Sequence, residues 1–184
     1  MKRVYVLVEG ETDAEFLRRL LPPEVTSDAE IVAAGSSSEI PSLARSLLVR
    51  RQRPVAVLMD ADSLSESMIQ ERKESTEDLI QSAAVSIPVK VFVVVPEIES
   101  WFFAIPEAIN RIFGQETPQD LVVLGRRDPK GVLHQLEERS KQKWKTGEAI
   151  RQLDSQDIEK LRRLPEVTEL SKFLEEVQKD DKAA

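Results

Sequence analysis

Six carboxylates stand in three pairs, each just after an apolar run. Glu9 and Asp13 follow Val4–Val8, Asp60 and Asp62 follow residues 55–59, and Glu97 and Glu99 follow residues 89–95. Gly10 permits a tight bend after Glu9, and Thr12 offers a hydroxyl at a helix start. Two positions apart in extended chain point the same way, so Asp60 and Asp62 can reach one ion, and Glu97 and Glu99 repeat that spacing. Acids gathered at one place repel unless cations join them. Hard oxygen donors suit Mg²⁺ or Mn²⁺. Two such ions would satisfy six carboxylates and would clamp both oxygens of a phosphoryl transfer. Solvated acids, or acids facing helix N-termini, are the plainer alternative, and Asp13, Glu97 and Glu99 each fit it. The convergence of acids from separate strands, with an Asp-x-Asp among them, favours metal.

The rest of the composition narrows the chemistry. The chain has 184 residues, no Cys and one His. That excludes disulfides, thiolate nucleophiles, Cys-ligated zinc and His-rich metal sites. His134 has no second His nearby and reads as a surface residue. Hydrophobic residues at 41% and charged residues at 32% describe an ordinary folded domain rather than a disordered chain. Acids outnumber Lys and Arg 33 to 26, for a net charge of −7. This argues against coating nucleic acid by bulk charge and leaves a local basic groove open. No apolar run approaches the roughly 20 residues of a membrane span. The N-terminal apolar run is short and meets acids at once, so it reads as a strand rather than a signal peptide. A cytoplasmic protein with no membrane association is expected.

The elements that must position the acids alternate along the first half. Val4–Val8 is apolar throughout, as a strand covered on both faces should be. A helix capped by Thr12 with Glu15 is predicted next, carrying Phe16, Leu17, Leu20 and Leu21 and ending at Pro22-Pro23. A weaker strand at residues 31–34, a turn at Gly35 and a helix over 39–51 follow. Strands at 55–59 and 89–95 flank a charged helix at 66–84, and a further helix begins at Glu97. This order predicts right-handed crossovers in a largely parallel four-stranded sheet flanked by helices. Ligands bind such sheets beyond the carboxyl ends of the strands, where the acids stand. The second half predicts helices at Pro129–Ser140, 148–153, 157–164 and 167–178, with 122–124 in a loop. The expected organisation is an α/β core at 1–105, a helical extension at 106–178 packed on it, and a frayed tail at 179–184.

These residues resemble a known family. Val-Glu-Gly-Glu-Thr-Asp (8–13) resembles the first motif of Toprim domains, and Leu-Met-Asp-Ala-Asp-Ser (58–63) resembles their second. Pro-Glu-Ile-Glu-Ser-Trp-Phe (96–102) is similar to a segment of small stand-alone Toprim-like proteins and of the nuclease domains of OLD (overcoming lysogenization defect) type proteins. The resemblance covers about residues 3–105 and implies a Toprim-like, Mg²⁺-dependent fold acting on phosphodiester bonds. It implies Glu9 as ligand or general acid/base, Asp60 and Asp62 as the metal pair, and Asp13, Glu97 and Glu99 as further acids. Tyr5, the only Tyr, lies inside a strand, which speaks against a topoisomerase. The chain is too short for the template-binding domains of a primase and has no Walker A motif.

Lys130 stands at a predicted helix start, where a Lys near the metals could stabilise phosphoryl charge; OLD-type nucleases are similar in using a downstream Lys. Lys141, Lys143 and Lys145 flank Trp144, a pattern suited to phosphates with an indole stacked on a base. Arg45, Arg50, Arg51 and Arg53 form another basic cluster, as do Arg126 and Arg127. Trp101, Phe102 and Phe103 read as core. The expected function is a divalent-metal-dependent nuclease acting on DNA or RNA. The alternatives are a non-catalytic binding module that partners a separately encoded ATPase, or a small-nucleotide phosphohydrolase.

Overall fold

In the computed structural model residues 3–183 are described, with side chains through 179. Strands β1 (Val4–Val8), β2 (Ala29–Ala33), β3 (Val55–Asp60) and β4 (Val89–Val94) form one sheet of order β2-β1-β3-β4. All pairings are parallel, with Val8 opposite Ala33, Leu7 opposite Val57 and Asp60 opposite Val94. Helices α1 (Glu11–Leu20), α2 (Pro23–Thr26), α3 (Ile40–Arg51) and α4 (Glu66–Gln81) lie between the strands. A 3-10 helix (Ile98–Ala104) leads into α5 (Pro106–Phe113), α6 (Gln119–Gly125), α7 (Pro129–Ser140), α8 (Thr146–Gln152), α9 (Ser155–Arg162) and α10 (Pro165–Ala183). This is the four-stranded parallel α/β architecture that the apolar runs predict.

Strand alternation divides the core in two. Val4, Val6, Val8, Ala56, Leu58 and Phe92 join one cluster with α1, the 3-10 helix and the C-terminal helices, and α10 packs on β1, β3 and β4. Tyr5, Leu7, Val57, Met59 and Val91 face the other way, against α3 and α4. Because both faces are covered, β1 is buried along its whole length. The 3-10 helix is anchored by Trp101, Phe102 and Phe103, all core residues. Phe16 of α1 meets Trp101 edge-on at 5.7 Å and Phe102 at 5.4 Å. Pairs of this kind contribute about 0.5–1.5 kcal/mol beyond their burial.

Several element boundaries differ from the sequence reading. Helix α1 starts at Glu11, and its first turn is closed by Asp13, whose carboxylate accepts the Gly10 N–H at 2.9 Å. Thr12 and Glu15 therefore lie within the helix rather than forming its cap. Residues 122–124 belong to α6, because Leu121 and Val122 are drawn into the core. Glu97 precedes a 3-10 turn rather than an α-helix. Helix α9 begins at Ser155, since Asp154 accepts the N–H groups of Gln156 and Asp157 at 2.8 and 2.9 Å. Strand β2 runs from Ala29 to Ala33, and α8 starts at Thr146. The backbone of α10 stays helical from residue 179 through Ala183, and Ala184 lies outside the described residues.

Candidate metal centre

The strand order fixes where a site can form. From β1 the chain turns outward to β2, and from β3 it turns the opposite way to β4, so the switch point lies between β1 and β3. Glu9 leaves the end of β1 and Asp60 ends β3, which places an acid on each side of that crevice. The connection after β4 adds Glu97 and Glu99. Oxygens of Asp60, Glu97 and Glu99 all lie within 4.8 Å of one another. Ligands on opposite sides of a Mg²⁺ or Ca²⁺ ion stand about 4–5 Å apart, given metal–oxygen distances of about 2.0–2.6 Å. The spacing therefore suits a divalent cation, and the donors are the hard oxygens such ions prefer.

Electrostatics carry the same mark. Burial pushes the Asp60 carboxyl up to about 8, helped by the charges of Asp13, Glu99 and Glu9, although it accepts the Ile98 N–H at 2.9 Å. Burial also raises Glu9, with Asp62 adding to the effect; Arg72 and the Asp60 backbone act the other way. Burial raises Asp13 against the Gly10 hydrogen bond and the charge of Lys130. The Oε1 atom of Glu9 is buried without a hydrogen-bond partner. Acids held this close and this dry are short of positive charge, which a cation would supply.

Lys130 provides part of that charge. It sits in the first turn of α7, whose start is capped by Asp128 accepting the Gly131 N–H at 3.0 Å. Its ammonium donates to Glu97, and this hydrogen bond, with the fields of Glu97, Glu99 and Asp60, holds it above the usual lysine range. Glu97 is itself 9% exposed.

Asp62 stands apart from the triad. It adopts a left-handed backbone (φ 51°), and its exposed carboxylate pairs with Arg72 of α4 at 3.2 Å. The strand ends at Asp60 and alternation stops there, so Asp62 lies outside the triad while its charge still acts on Glu9. Arg72 also donates to the Ala61 carbonyl at 3.0 Å, fixing that turn.

The basic segment predicted to hold nucleic acid links α7 to α8. Lys141 and Lys143 are exposed, and Lys145 pairs with Glu148 at 2.9 Å. Trp144 is half-buried, edge-on to Phe102 at 4.9 Å and stacked on Phe113 at 5.9 Å, so its ring serves the core. Its backbone N–H donates to Glu137 at 2.6 Å and its indole N–H to Thr146 at 3.1 Å. Thr146 in turn donates to Glu99 at 3.1 Å. A cavity of about 260 Å³ opens here, lined by Glu99, Lys130, Leu133, His134, Trp144 and Thr146 among others. His134 is exposed beside Glu137 and Glu138. Arg72 and Thr146 escape a reading of the sequence, because neither stands in a motif and both reach the site by tertiary contact.

Known proteins share this fold. The model of a family described as a domain of unknown function (DUF4276) matches residues 8–176. No curated protein matches the chain. Among solved structures, the C-terminal region of the Xanthomonas campestris pv. campestris OLD protein, phased with iodine, is 17% identical with a TM-score of 0.54, covering 98% of this chain and 96% of that one. The C-terminal region of the Burkholderia pseudomallei OLD protein is 14% identical with a TM-score of 0.53, covering 96% and 98%. The chain thus has the α/β, Toprim-like fold of these OLD regions along its whole length.

Proposed function

Starting from the fact that the chain belongs to the DUF4276 family, we propose that it is a Toprim-type, divalent-metal-dependent nuclease hydrolysing phosphodiester bonds of DNA or RNA. The observation that carries this reading is the triad Asp60, Glu97 and Glu99 beyond the carboxyl ends of β3 and β4, beside the switch point, with its oxygens within 4.8 Å. These three would hold one Mg²⁺ or Mn²⁺ ion, and Glu9, Asp13 and Asp62 border the place for a second. A bound cation supplies Lewis-acid charge that offsets the negative charge of a phosphodiester.

The chain's own groups supply the rest. Glu9, with an unpartnered buried oxygen and a raised pKa, accepts a proton from the attacking water. Lys130, held protonated beside the triad, faces the charge that grows on the phosphoryl oxygens. Lys141 and Lys143, exposed on the neighbouring linker, hold backbone phosphates of a longer strand. Lys145 and Trp144 flank that contact. The solved structures the chain resembles are C-terminal regions of larger OLD proteins, and a separately encoded ATPase is the partner we propose.

The test is purified protein with Mg²⁺ or Mn²⁺ and labelled single- and double-stranded DNA and RNA. Wild type should cut, and Asp60→Ala should lose about 100-fold or more of the rate, as loss of a principal charge-stabilising group does. Equal cutting by Asp60→Ala overturns the assignment. Tight binding of nucleic acid without cleavage under any metal turns the reading to a binding module, and cleavage of mononucleotides alone turns it to a small-nucleotide phosphohydrolase.

A further inference from the structure

Glu99 is held by a hydrogen-bond chain whose direction is fixed. The indole N–H of Trp144 donates to Thr146 Oγ1 at 3.1 Å, and an indole can only donate. The Thr146 hydroxyl, having accepted that bond, has one proton of its own, and it lies 3.1 Å from Glu99 Oε1. A ligating carboxylate can only accept, so the hydroxyl donates to Glu99 while the indole occupies one of its lone pairs. Among the described residues no other hydrogen bond to the Glu99 side chain is seen, so its second oxygen accepts none from the protein.

The start of the chain cannot swing. Trp144 is clamped against Phe102 and Phe113, and its backbone N–H is tied to Glu137 at 2.6 Å. Phe102 lies on the same 3-10 helix as Glu99. The path from Glu99 through Phe102, Trp144 and Thr146 thus closes on itself, and it joins the α7–α8 linker to the sheet edge.

We propose that Thr146 is a positioning residue for the metal centre: it holds Glu99 in its ligating orientation, and the Trp144 indole anchors the hydroxyl that does so. The inference rests on the metal-centre reading above. Groups that orient a metal ligand in this way typically change metal affinity about 10- to 100-fold when removed.

The experiment is a Mn²⁺ titration of the intact protein without nucleic acid, followed by calorimetry and by water-proton relaxation. Thr146→Val keeps the shape and deletes the hydroxyl; it should weaken Mn²⁺ binding about 10-fold or more. Thr146→Ser restores the donor and should stay within about 3-fold of wild type, which a merely structural role for the side chain would not produce. Trp144→Phe keeps a ring in the stack but removes the N–H, frees the hydroxyl to turn, and should weaken binding about 3-fold or more; it carries the test if Thr146→Val does not fold. Unchanged affinity in a folded Thr146→Val or in Trp144→Phe overturns the proposal, as does a Thr146→Ser loss equal to that of Thr146→Val. A wild type that binds no Mn²⁺ overturns the metal centre itself, which separates the two failures.

Discussion

Asp60 is where burial and charge conflict most sharply. Its carboxyl is pushed from an ordinary 3.8 to about 8, first by burial and then by Asp13, Glu99 and Glu9. The folded metal-free protein therefore binds this proton more tightly than the unfolded chain does. The stabilisation is fully present below about pH 4 and is lost as pH rises through about 8. In EDTA, the Asp60 contribution to urea stability should fall between pH 5 and 8 by an amount on the order of a few kcal/mol, and Asp60→Asn should flatten that slope. Parallel slopes for the two proteins would refute this. Divalent metal binds the ionised form, so added Mn²⁺ should oppose the loss most strongly at the alkaline end. The identity of the acids was legible at this scale, since each follows an apolar run. The departure of Asp62 toward Arg72 was not, because it depends on a left-handed turn and on a helical residue ten positions on.

The 3-10 helix Ile98–Ala104 is the element on which the site depends. Its aromatic triplet is locked into the core, and Glu97 and Glu99 project from its start. Gly125, at the end of α6, presses on it: a Cβ there would lie 2.1 Å from a ring carbon of the fully buried Phe103. Gly125→Ala should therefore destabilise the fold by about 1–3 kcal/mol, the usual cost of overpacking a tight core. It should also shift the triad and weaken Mn²⁺ binding. Thermal melts and a metal titration check both parts, and a neutral substitution would show that Phe103 yields freely. The strands were readable because β-branched runs between breakers have few other folds. Helix α6 was not, since its seven residues are too short for a clear period and are held by tertiary packing.

The molecule as a whole carries a net charge of −7. Without cations its sheet edge repels a phosphate backbone, and bound divalent ions reverse the local sign. Binding to a 30-nucleotide strand, followed by fluorescence anisotropy, should be at least about 10-fold tighter in Ca²⁺ than in EDTA at equal ionic strength, since local charge governs such association. Equal binding in both would place the contact away from the triad. Among the described residues no helix is long and apolar enough to cross a membrane. The C-terminal helices and the linker between α7 and α8, predicted as an extension, share one hydrophobic cluster with the sheet and deliver Lys130, Trp144 and Thr146 to its edge.

The amino-acid sequence by itself determined the strands, the parallel order implied by helical crossovers, and the acids at the strand ends. Those features are local: apolar runs, breakers and spacings of two or four residues act within one element. Only the tertiary structure decided which acids meet. Asp60 joins Glu97 and Glu99 because β3 and β4 pair side by side, whereas Asp62 turns to Arg72. It also decided that Trp144 serves the core and that Thr146 reaches Glu99. Asp60 with Ile98 and Thr146 with Glu99 join residues 38 and 47 positions apart. No local pattern encodes such distances; the packing of the helical layer on the sheet sets them.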